Sequence, residues 1–288
     1  MTQTWFITGS SRGFGRNLTV AALEAGDQVV ATARKPEQLD DLVGKYGDRV
    51  LPVVLDVTDR AAATAALQAG VDRFGGIDVV VNNAGYANLS PVETTPEDDF
   101  RRQFDTNFWG VYNVSTAAIP FLRAQGAGTV VQFSSVGGRV GGNPGLGSYQ
   151  AAKFAVDGFT RVLAAETAPF GIRYLVVEPA GFATDWAGSS MRIPDVAPEY
   201  DETVGTLIRL FDGPVTAAGD PKRAGEILVR IVKQPDLPSH LLLGAAAVDM
   251  AQSYSRDQIA QASAWERVSR SADFDQDYPV DLVDTTKA

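Results

Sequence analysis

Cysteine is absent from the 288-residue chain, and histidine occurs once, as His240. The missing thiols exclude a disulfide, a cysteine nucleophile and a cysteine metal site, and one imidazole cannot build a histidine-clustered metal centre. No apolar run approaches the roughly 20 residues that a membrane-spanning helix requires, and the first residues lack a charged leader with a long apolar region. We therefore expect no bound metal, no membrane association and, as the simplest interpretation, a cytoplasmic protein.

Basic residues are the minority, with 25 Lys and Arg against 35 Asp and Glu, for a formal net charge of −10. Such a field repels phosphate backbones, so nucleic acid is not an expected partner. Hydrophobic residues make up 45% of the chain, which is enough for one substantial core, and we expect one domain over residues 1–288. The part from about 245 is expected to be a C-terminal extension, whose acidic end after Ser271 is either disordered or packed.

Short apolar runs alternate with longer segments of helical period. The runs are rich in Val, Ile and Leu without polar alternation, which is typical of strands buried on both faces. Strands are predicted at 4–8, 28–33, 50–55, 77–82, 129–133, 172–178 and 241–243, and helices at 16–25, 37–46, 61–74, 100–124, 149–168 and 223–233. Repeated strand and helix predict an α/β fold, with a parallel sheet covered by helices on both faces.

A stretch at about 185–220 breaks this rhythm with glycine, serine and proline, a composition typical of a mobile lid or binding loop. With the loops at 86–92 and 141–146 it contributes large apolar side chains. These predict an apolar pocket for a medium-sized organic molecule, unless the side chains only dock their own loops. The residues concerned are Tyr86, Leu146, Phe182, Trp186 and Met191.

A glycine-rich turn separates the first predicted strand from the first predicted helix. Its glycines allow a tight turn and close backbone approach, while free amides and the positive end of the helix attract a pyrophosphate. The motif therefore predicts dinucleotide binding, with plain turn chemistry as the alternative. It reads Thr8-Gly9-Ser10-Ser11-Arg12-Gly13-Phe14-Gly15.

The end of the second strand indicates which dinucleotide is bound. An acid there would hold the ribose hydroxyls of NAD, but this chain has Arg34 and Lys35. Arg34 can form two hydrogen bonds to a 2′-phosphate, and Arg12 can approach it from the other side. We predict NADP, with NAD less favoured; alternatively, the two cations merely solvate a helix start. Asp56 and Val57 are expected beside the adenine, unless Asp56 caps the next helix.

Tyr149 and Lys153 are four residues apart, which places a phenol and an ammonium on one helical face. A nearby cation favours the phenolate and so lowers a pKa that is near 10 in a free phenol. The same spacing is common on solvated helix surfaces, so the pair carries weight only through the motifs that accompany it.

Those motifs resemble the short-chain dehydrogenases/reductases, in the correct order over about residues 4–185. The resemblance implies one doubly wound Rossmann domain with a seven-stranded parallel sheet. It also implies hydride transfer between NAD(P) and an alcohol or ketone. The motifs are the glycine turn, Asn82-Asn83-Ala84-Gly85, the lone Asn107, Ser134-Ser135, Tyr149-x-x-x-Lys153 and Pro179-x-x-x-x-Thr184.

The resemblance implies a role for each catalytic candidate. Tyr149 matches the general acid/base, and Lys153 matches the cation that lowers its pKa and holds the nicotinamide ribose. Ser135 matches the hydroxyl that orients the substrate oxygen, and Asn107 the anchor of a water relay behind the lysine. Alternatively, Ser135 forms a turn and Asn107 bonds within its helix. The remaining cofactor contacts implied are Asn83, Ala84, Gly85, Pro179, Phe182 and Thr184.

Two departures from the family pattern affect these assignments. Ser135 precedes Tyr149 by 14 residues, where many members have 13, so the working hydroxyl is either Ser135 or Ser134. Ala180 stands where the family usually has glycine, and its methyl group would narrow the wall beside the nicotinamide. The expected partner is a small carbonyl or alcohol, and a homo-oligomer through the helix after Asn107 stays open. Two other hypotheses are a non-catalytic cofactor-binding sensor or scaffold, and a lyase or epimerase that uses the cofactor transiently.

Overall fold

The computed structural model describes residues 2–184, 191–193, 196–212 and 217–282. Seven strands form one parallel sheet, and two short strands form a second. In chain order the strands are β1 (Thr4–Ile7), β2 (Gln28–Ala33), β3 (Val50–Val54), β4 (Val79–Asn82), β5 (Ala87–Asn88), β6 (Gly128–Phe133), β7 (Ile172–Pro179), β8 (Met191–Arg192) and β9 (His240–Leu243). The large sheet has the order β3-β2-β1-β4-β6-β7-β9, and β5 pairs with β8.

Helices cover both faces of the large sheet. They are α1 (Gly13–Glu24), α2 (Asp40–Tyr46), α3 (Arg60–Phe74), α4 (Glu97–Phe104), α5 (Gly110–Gln125), α6 (Gly147–Thr167), α7 (Thr206–Asp212), α8 (Pro221–Val232), α9 (Ala245–Ala264) and α10 (Glu266–Arg270). One buried cluster joins α1, α2 and α8 to the sheet, and a second joins α3, α5 and α6 to the opposite face. The predicted α/β fold with a doubly wound parallel sheet is therefore confirmed.

Burial on both faces explains the apolar runs. In β1, Trp5 and Ile7 point into the cluster beneath α1 and α8, whereas Phe6 points into the cluster beneath α3 and α5. Because successive side chains alternate between two buried faces, an apolar residue is favoured at every position of such a strand. All seven predicted strands are present, with ends that differ by at most two residues.

The helical stretch predicted over 100–124 is present, but it is not a regular α-helix throughout. The structure has α4, then a π-helical turn at Asp105–Trp109, then α5. The side chain of Asn107 lies inside this turn and bonds main-chain carbonyl groups, which explains the departure from regular helix. Apolar periodicity alone carries no signal for such a widened turn.

The order of the strands reverses between β1 and β4, which lie side by side at the middle of the sheet. At such a switch point the loops at the carboxyl ends of the strands diverge and open a crevice, where ligands of parallel sheets bind. The crevice lies beside the glycine turn after β1 and the Asn83 segment after β4. Among the described residues, no helix is both long and apolar enough to cross a bilayer.

Candidate active site

The glycine turn adopts the geometry that its sequence predicts. Gly9 and Gly13 have positive φ values of 69° and 56°, a conformation that favours glycine. A Cβ atom at Gly15 would lie 2.3 Å from the carbonyl oxygen of Gly9, so helix α1 can start this close to the turn only with glycine there. The side chain of Arg12, the N-cap residue of α1, makes no capping hydrogen bond to the start of the helix. The first amides of α1 therefore suit an anion.

Asn83 holds the glycine turn rather than facing the crevice with its amide. Its Nδ2 donates to the carbonyl oxygens of Thr8, at 2.9 Å, and Gly9, at 3.2 Å. The Thr8 hydroxyl accepts from the main-chain amides of Asn83 and Ala84 at 2.9 and 3.0 Å. The sequence analysis missed Thr8, whose role appears only when β1 and β4 lie side by side.

The residues predicted near the 2′-phosphate and the adenine lie at the carboxyl edge of the sheet, but Asp56 does not have the alternative role of a helix cap. Arg12 and Arg34 are exposed at the carboxyl edge of the sheet. Asp56 does not cap α3, because its carboxylate accepts from the amide and hydroxyl of Thr58 at 3.0 and 2.8 Å. The cap is Asp59, which accepts from the amide of Ala62.

Val57 is anchored through both its side chain and its main chain. Its side chain is buried against Gly110, where an added Cβ would lie 2.5 Å from the Val57 methyl group. Its carbonyl oxygen accepts from Asn113 Nδ2 at 3.0 Å. Helix α5 therefore fixes the segment beside the predicted adenine position.

Ser135 follows the carboxyl end of β6, and Tyr149 and Lys153 lie in the first two turns of α6, which packs beside it. Tyr149 is 8% exposed and Lys153 is 4% exposed. Lys153 Nζ donates to the carbonyl oxygen of Phe133 at 2.8 Å. The Ser135 side chain hydrogen-bonds Tyr149, whereas the Ser134 hydroxyl donates to the carbonyl oxygen of Lys153 at 3.2 Å. Only Ser135 therefore directs its hydroxyl to the phenol.

Burial dominates the protonation of the pair. It raises the pKa of Tyr149 to about 12, although the hydrogen bond with Ser135 lowers that pKa in part. Burial also lowers the pKa of Lys153 to about 8. Lys153 Nζ lies 5.7 Å from the centroid of the Tyr149 ring. The lowered Tyr149 pKa that the sequence predicts is thus absent in the chain alone, because the loss of water around the phenol outweighs the nearby cation.

Asn107 lies in the π-helical turn and is fully buried. Its Nδ2 donates to the carbonyl oxygens of Tyr86 at 2.9 Å and Gln103 at 3.1 Å. A Cβ added at Gly85 would lie 2.5 Å from Asn107 Oδ1 and 3.7 Å from Lys153 Nζ, so both groups face Gly85. Within the described part of the chain, Oδ1 has no hydrogen-bond partner.

The segment after β7 forms the wall opposite the glycine turn. Pro179 ends β7 in register with Leu243. Thr184 lies above Gly13, where an added Cβ would be 3.7 Å from the threonine Cβ. The Phe182 ring is used in packing, with its centroid 4.9 Å from that of Phe14. The Ala180 methyl group points towards Gly244 rather than standing free in the crevice.

The predicted apolar pocket is present in part. Leu146 and Met191 belong to a cluster with Tyr149, together with Leu89 and Val204. Tyr86 is not part of it: its phenol lies against Arg102, Asp105 and Thr106, and burial raises its pKa. Trp186 lies outside the described residues. The place of Val204 in this cluster was not predicted, because a valine in a proline- and glycine-rich segment carries no distinguishing pattern.

The residues at this edge fit a dinucleotide. The start of α1 offers amides without a side-chain cap, and the exposed Arg12 and Arg34 lie beside it. Asn107 Oδ1 is a buried acceptor that no group in the described residues satisfies. Buried acceptors without partners are uncommon in proteins and mark places where a water or ligand belongs.

Comparisons with known proteins agree with this geometry. The sequence profile of the short chain dehydrogenase family matches residues 3–192. Oxidoreductase BOA17 of Botryotinia fuckeliana is 48% identical over 271 residues, 93% of this chain and 98% of that relative. A short-chain dehydrogenase structure from Streptomyces avermitilis has a TM-score of 0.88 and 37% identity, and the match covers 95% of this chain and 99% of that chain.

A third similar protein was solved with a cofactor. It is a short chain dehydrogenase from Burkholderia cenocepacia in complex with NADP, with a TM-score of 0.73 and 25% identity. The match covers 91% of this chain and 96% of that chain. The chain described here belongs to the short-chain dehydrogenase/reductase family. It is an oxidoreductase of that family, whose members use NAD(P) and act on small molecules.

Proposed function

We propose that the chain is an NADP-dependent oxidoreductase that interconverts a medium-sized apolar ketone or aldehyde and its alcohol. The observation that carries the proposal is the convergence of Tyr149, Lys153, Ser135 and Asn107 in one water-poor site. Asn107, Tyr149 and Lys153 are buried and Ser135 is partly buried, and packing alone gives no reason for polar side chains with these chemistries to lie together.

Binding begins at the glycine turn. The amides of Gly13 and Phe14 and the positive end of α1 hold the pyrophosphate, with the backbones of Gly9, Ser11 and Gly15 close to it. The segment Asn83-Ala84-Gly85 and the Lys153 ammonium would hold the nicotinamide ribose, and Asp56 and Val57 would contact the adenine. Pro179, Thr184 and the main chain of Phe182 would hold the nicotinamide.

The reduction needs one hydride and one proton. The hydride would come from a reduced nicotinamide held at these residues, whose oxidised form carries a positive charge that would favour the phenolate. The Tyr149 hydroxyl donates its proton to the carbonyl oxygen of the substrate, while the Ser135 hydroxyl donates a hydrogen bond that orients the same oxygen. Lys153 and a water on Asn107 Oδ1 then return a proton from solvent to the tyrosinate. In the direction of oxidation each of these transfers is reversed.

The cluster around Tyr149 supports the apolar substrate. Leu89, Leu146 and Val204 are buried beside the phenol, and Met191 packs against them. These side chains offer no charged partner, so an uncharged carbonyl compound with aliphatic or aromatic bulk suits them best.

Turnover of a carbonyl by NADPH is the first test. We expect loss of the nicotinamide absorbance with at least one member of a panel of ketones, aldehydes and steroids. Tyr149→Phe removes only the hydroxyl that donates the proton, and we expect it to lower kcat/KM by about a thousandfold or more. Absorbance assays of both proteins at equal concentration measure the effect.

Tyr174→Phe is the matched control for this variant. Tyr174 is 7% exposed and its hydroxyl also has a partner, Thr167, at 3.2 Å, but it lies in the cluster beneath α3 and α5. Its variant should keep the parent rate. A Tyr149→Phe protein that retains full turnover would remove Tyr149 from the mechanism.

The same assay separates the other two hypotheses. A sensor or scaffold would bind NADPH without consuming it in the presence of any carbonyl. A lyase or epimerase would transform its substrate without net change in the nicotinamide absorbance. The buried Tyr149 and Lys153 favour the oxidoreductase, because a scaffold has no chemical need for both groups in one dry site.

Preference for NADP over NAD rests on Arg34 and Arg12. Both cations are exposed at the end of the crevice where the adenosine ribose would lie, so a 2′-phosphate gains two charged partners. We expect NADPH to bind more tightly than NADH, and Arg34→Ala to narrow that difference by about tenfold. Fluorescence titration of the apoprotein measures both affinities. Arg230→Ala, which removes an exposed cation on α8, should leave the ratio unchanged, and equal affinities in the parent would contradict the preference.

An exposed aromatic surface on α5 and α6 favours a homo-oligomer. Trp109 and Phe154 are exposed, and the Trp109 ring contacts Phe108 and Tyr112. A second copy would cover these rings, and sedimentation velocity tests this proposal.

We further propose that residues 1–288 form one domain. The cytoplasmic location expected from the sequence stays a prediction that cell fractionation can test.

A further inference from the structure

Gln103 is a buried polar residue that the proposed mechanism does not use. Its side chain is 0% exposed, although it lies on α4, a helix whose sequence is largely charged. A primary amide inside a protein is unfavourable unless both of its ends have partners. Its neighbours therefore show what the residue does.

The Gln103 amide has one orientation in which both of its ends have partners. With its oxygen towards Asn107 it accepts from Nδ2 at 2.8 Å and bonds nothing else among the described residues. With the amide turned over, its nitrogen donates to the carbonyl oxygen of Tyr86 at 3.0 Å and its oxygen accepts from the amide of Asn88 at 3.0 Å. The second orientation links α4 to the chain segment after Gly85, and it adds a second donor to the Tyr86 carbonyl oxygen that Asn107 Nδ2 also bonds.

The bridge continues to the helix that carries the phenol. Asn88 Oδ1 accepts from the Ser148 hydroxyl at 2.9 Å, and both side chains are buried. Ser148 directly precedes Tyr149 in α6. Gln103, Asn88 and Ser148 therefore join Asn107 to the start of α6 through buried polar contacts.

This arrangement determines where Asn107 Oδ1 points. The Asn107 amide donates to the carbonyl oxygens of Tyr86 and Gln103, so its nitrogen is held on the side of α4. Its oxygen is consequently turned to Gly85 and Lys153. Loss of the Gln103 amide would remove the second donor to the Tyr86 carbonyl oxygen and the bond to Asn88, so one of the two acceptors that hold the Asn107 amide would lose its own anchor.

We propose that Gln103 is a positioning residue for proton return. Its amide anchors the Tyr86 carbonyl oxygen, which holds the Asn107 amide with Oδ1 towards Lys153, and through Asn88 and Ser148 it sets the start of the helix that carries Tyr149. The inference rests on the proposed function, since it deepens the account of the same site. Gln103 itself touches neither substrate nor cofactor.

Gln103→Met tests the proposal, because methionine keeps the length and removes both polar ends. We expect kcat to fall about tenfold. The deficit should grow towards high pH, where protons for return to Tyr149 are scarce. The Kd for NADPH and the KM should change by less than about twofold, since no binding contact is lost.

Gln132→Met is the matched control. Gln132 is also 0% exposed, and its amide bonds Asn82 at 2.8 Å and Ser115 at 3.0 Å, inside the sheet rather than at the site. Both variants should lose thermal stability to a similar degree, but only Gln103→Met should change kcat and its pH profile. Identical kinetics in the two variants at every pH would overturn the proposal.

A titration of Lys153 and a second variant test the positioning role when turnover or folding is lost. The Lys153 ε-carbon can be titrated by ¹³C NMR in the apoprotein and assigned with Lys153→Met; we expect its midpoint to move down in Gln103→Met and not in Gln132→Met. An unmoved midpoint refutes the positioning role even in a protein without turnover, and absent turnover in the parent refutes the proposed function separately. If Gln103→Met fails to fold, Ser148→Ala should show a kcat loss of about fivefold with the same growth at high pH.

Discussion

The two edges of the sheet each bury a charged side chain, but the two side chains differ in their partners. At the amino edge, the Asp27 carboxylate is 1% exposed and fully partnered. It accepts from the amide of Gln3 at 3.0 Å, from Trp5 Nε1 at 3.0 Å and from Lys233 Nζ at 2.7 Å. At the carboxyl edge, Lys153 is also buried, at 4% exposed, but its ammonium donates to a neutral carbonyl group, that of Phe133. No carboxylate in the described ranges pairs with it.

The difference separates stability from chemistry. A buried charge with several hydrogen bonds and a counter-ion holds elements together, as Asp27 does for β1, β2 and α8. A buried cation without a counter-ion, next to a phenol whose pKa is raised and an acceptor without a partner, destabilises the empty fold. Such groups persist where a ligand completes them, and here they lie at the crevice between β1 and β4.

Asp27→Ala should produce the largest loss of stability. The change leaves the exposed Lys233 without its carboxylate, and it removes the acceptor of Trp5 Nε1 and of the Gln3 amide. We expect the free energy of unfolding to fall by about 2–4 kcal/mol, because the donor on buried Trp5 and the Gln3 amide lose a charged acceptor. Urea denaturation monitored by Trp5 fluorescence and circular dichroism measures it. At temperatures where the variant is folded, kcat/KM should equal that of the parent.

A double-mutant cycle with Lys233→Met checks the reason. If the loss comes from an unpaired cation, the double variant should be more stable than the sum of the two single changes predicts. Strict additivity would show that Asp27 acts through Gln3 and Trp5 instead. Reduced turnover in folded Asp27→Ala would contradict the separation of the two edges.

The large sheet could be predicted from the sequence because its strands are buried on both faces. Runs such as residues 28–33 and 172–178 are mostly apolar and show no regular polar alternation, so their secondary structure follows from local composition. The glycine turn was also predictable, since Gly9, Gly13 and Gly15 meet conformational and steric requirements that are local or nearly so. Its residues therefore identify it without knowledge of the rest of the fold.

The candidate site was less predictable where partners come from distant segments. The sequence left Ser134 and Ser135 equivalent, and only the packing of α6 on β6 directs one hydroxyl to Lys153 and the other to Tyr149. Tyr86 was expected in the pocket. Instead its carbonyl oxygen accepts from Asn107, and its phenol hydrogen-bonds the Thr106 side chain. Gln103 sits in a charged helix, and nothing in its neighbours along the chain indicates burial.

Lys153→Met should raise the free energy of unfolding, by less than Asp27→Ala lowers it. Burial lowers the pKa of Lys153 from its ordinary 10.5 to about 8. At pH 7 the folded chain therefore carries an ammonium that it desolvates at a cost of up to roughly 3 kcal/mol. Methionine fills the same space without charge, so the apoprotein should become more stable at pH 7 while losing turnover. Lys222→Met, on an exposed part of α8, should change neither property.

The pH dependence of stability tests the cause. Between about pH 8 and 10.5 the unfolded chain still binds the Lys153 proton whereas the folded chain has released it. Since stability rises with pH wherever the unfolded state binds more protons, the parent apoprotein should gain free energy of unfolding across this window. The difference between the parent and Lys153→Met should therefore shrink steadily from pH 8 to pH 10.5. Urea titrations at several pH values measure it, and a difference that stays constant would show that Lys153 is not destabilised by burial.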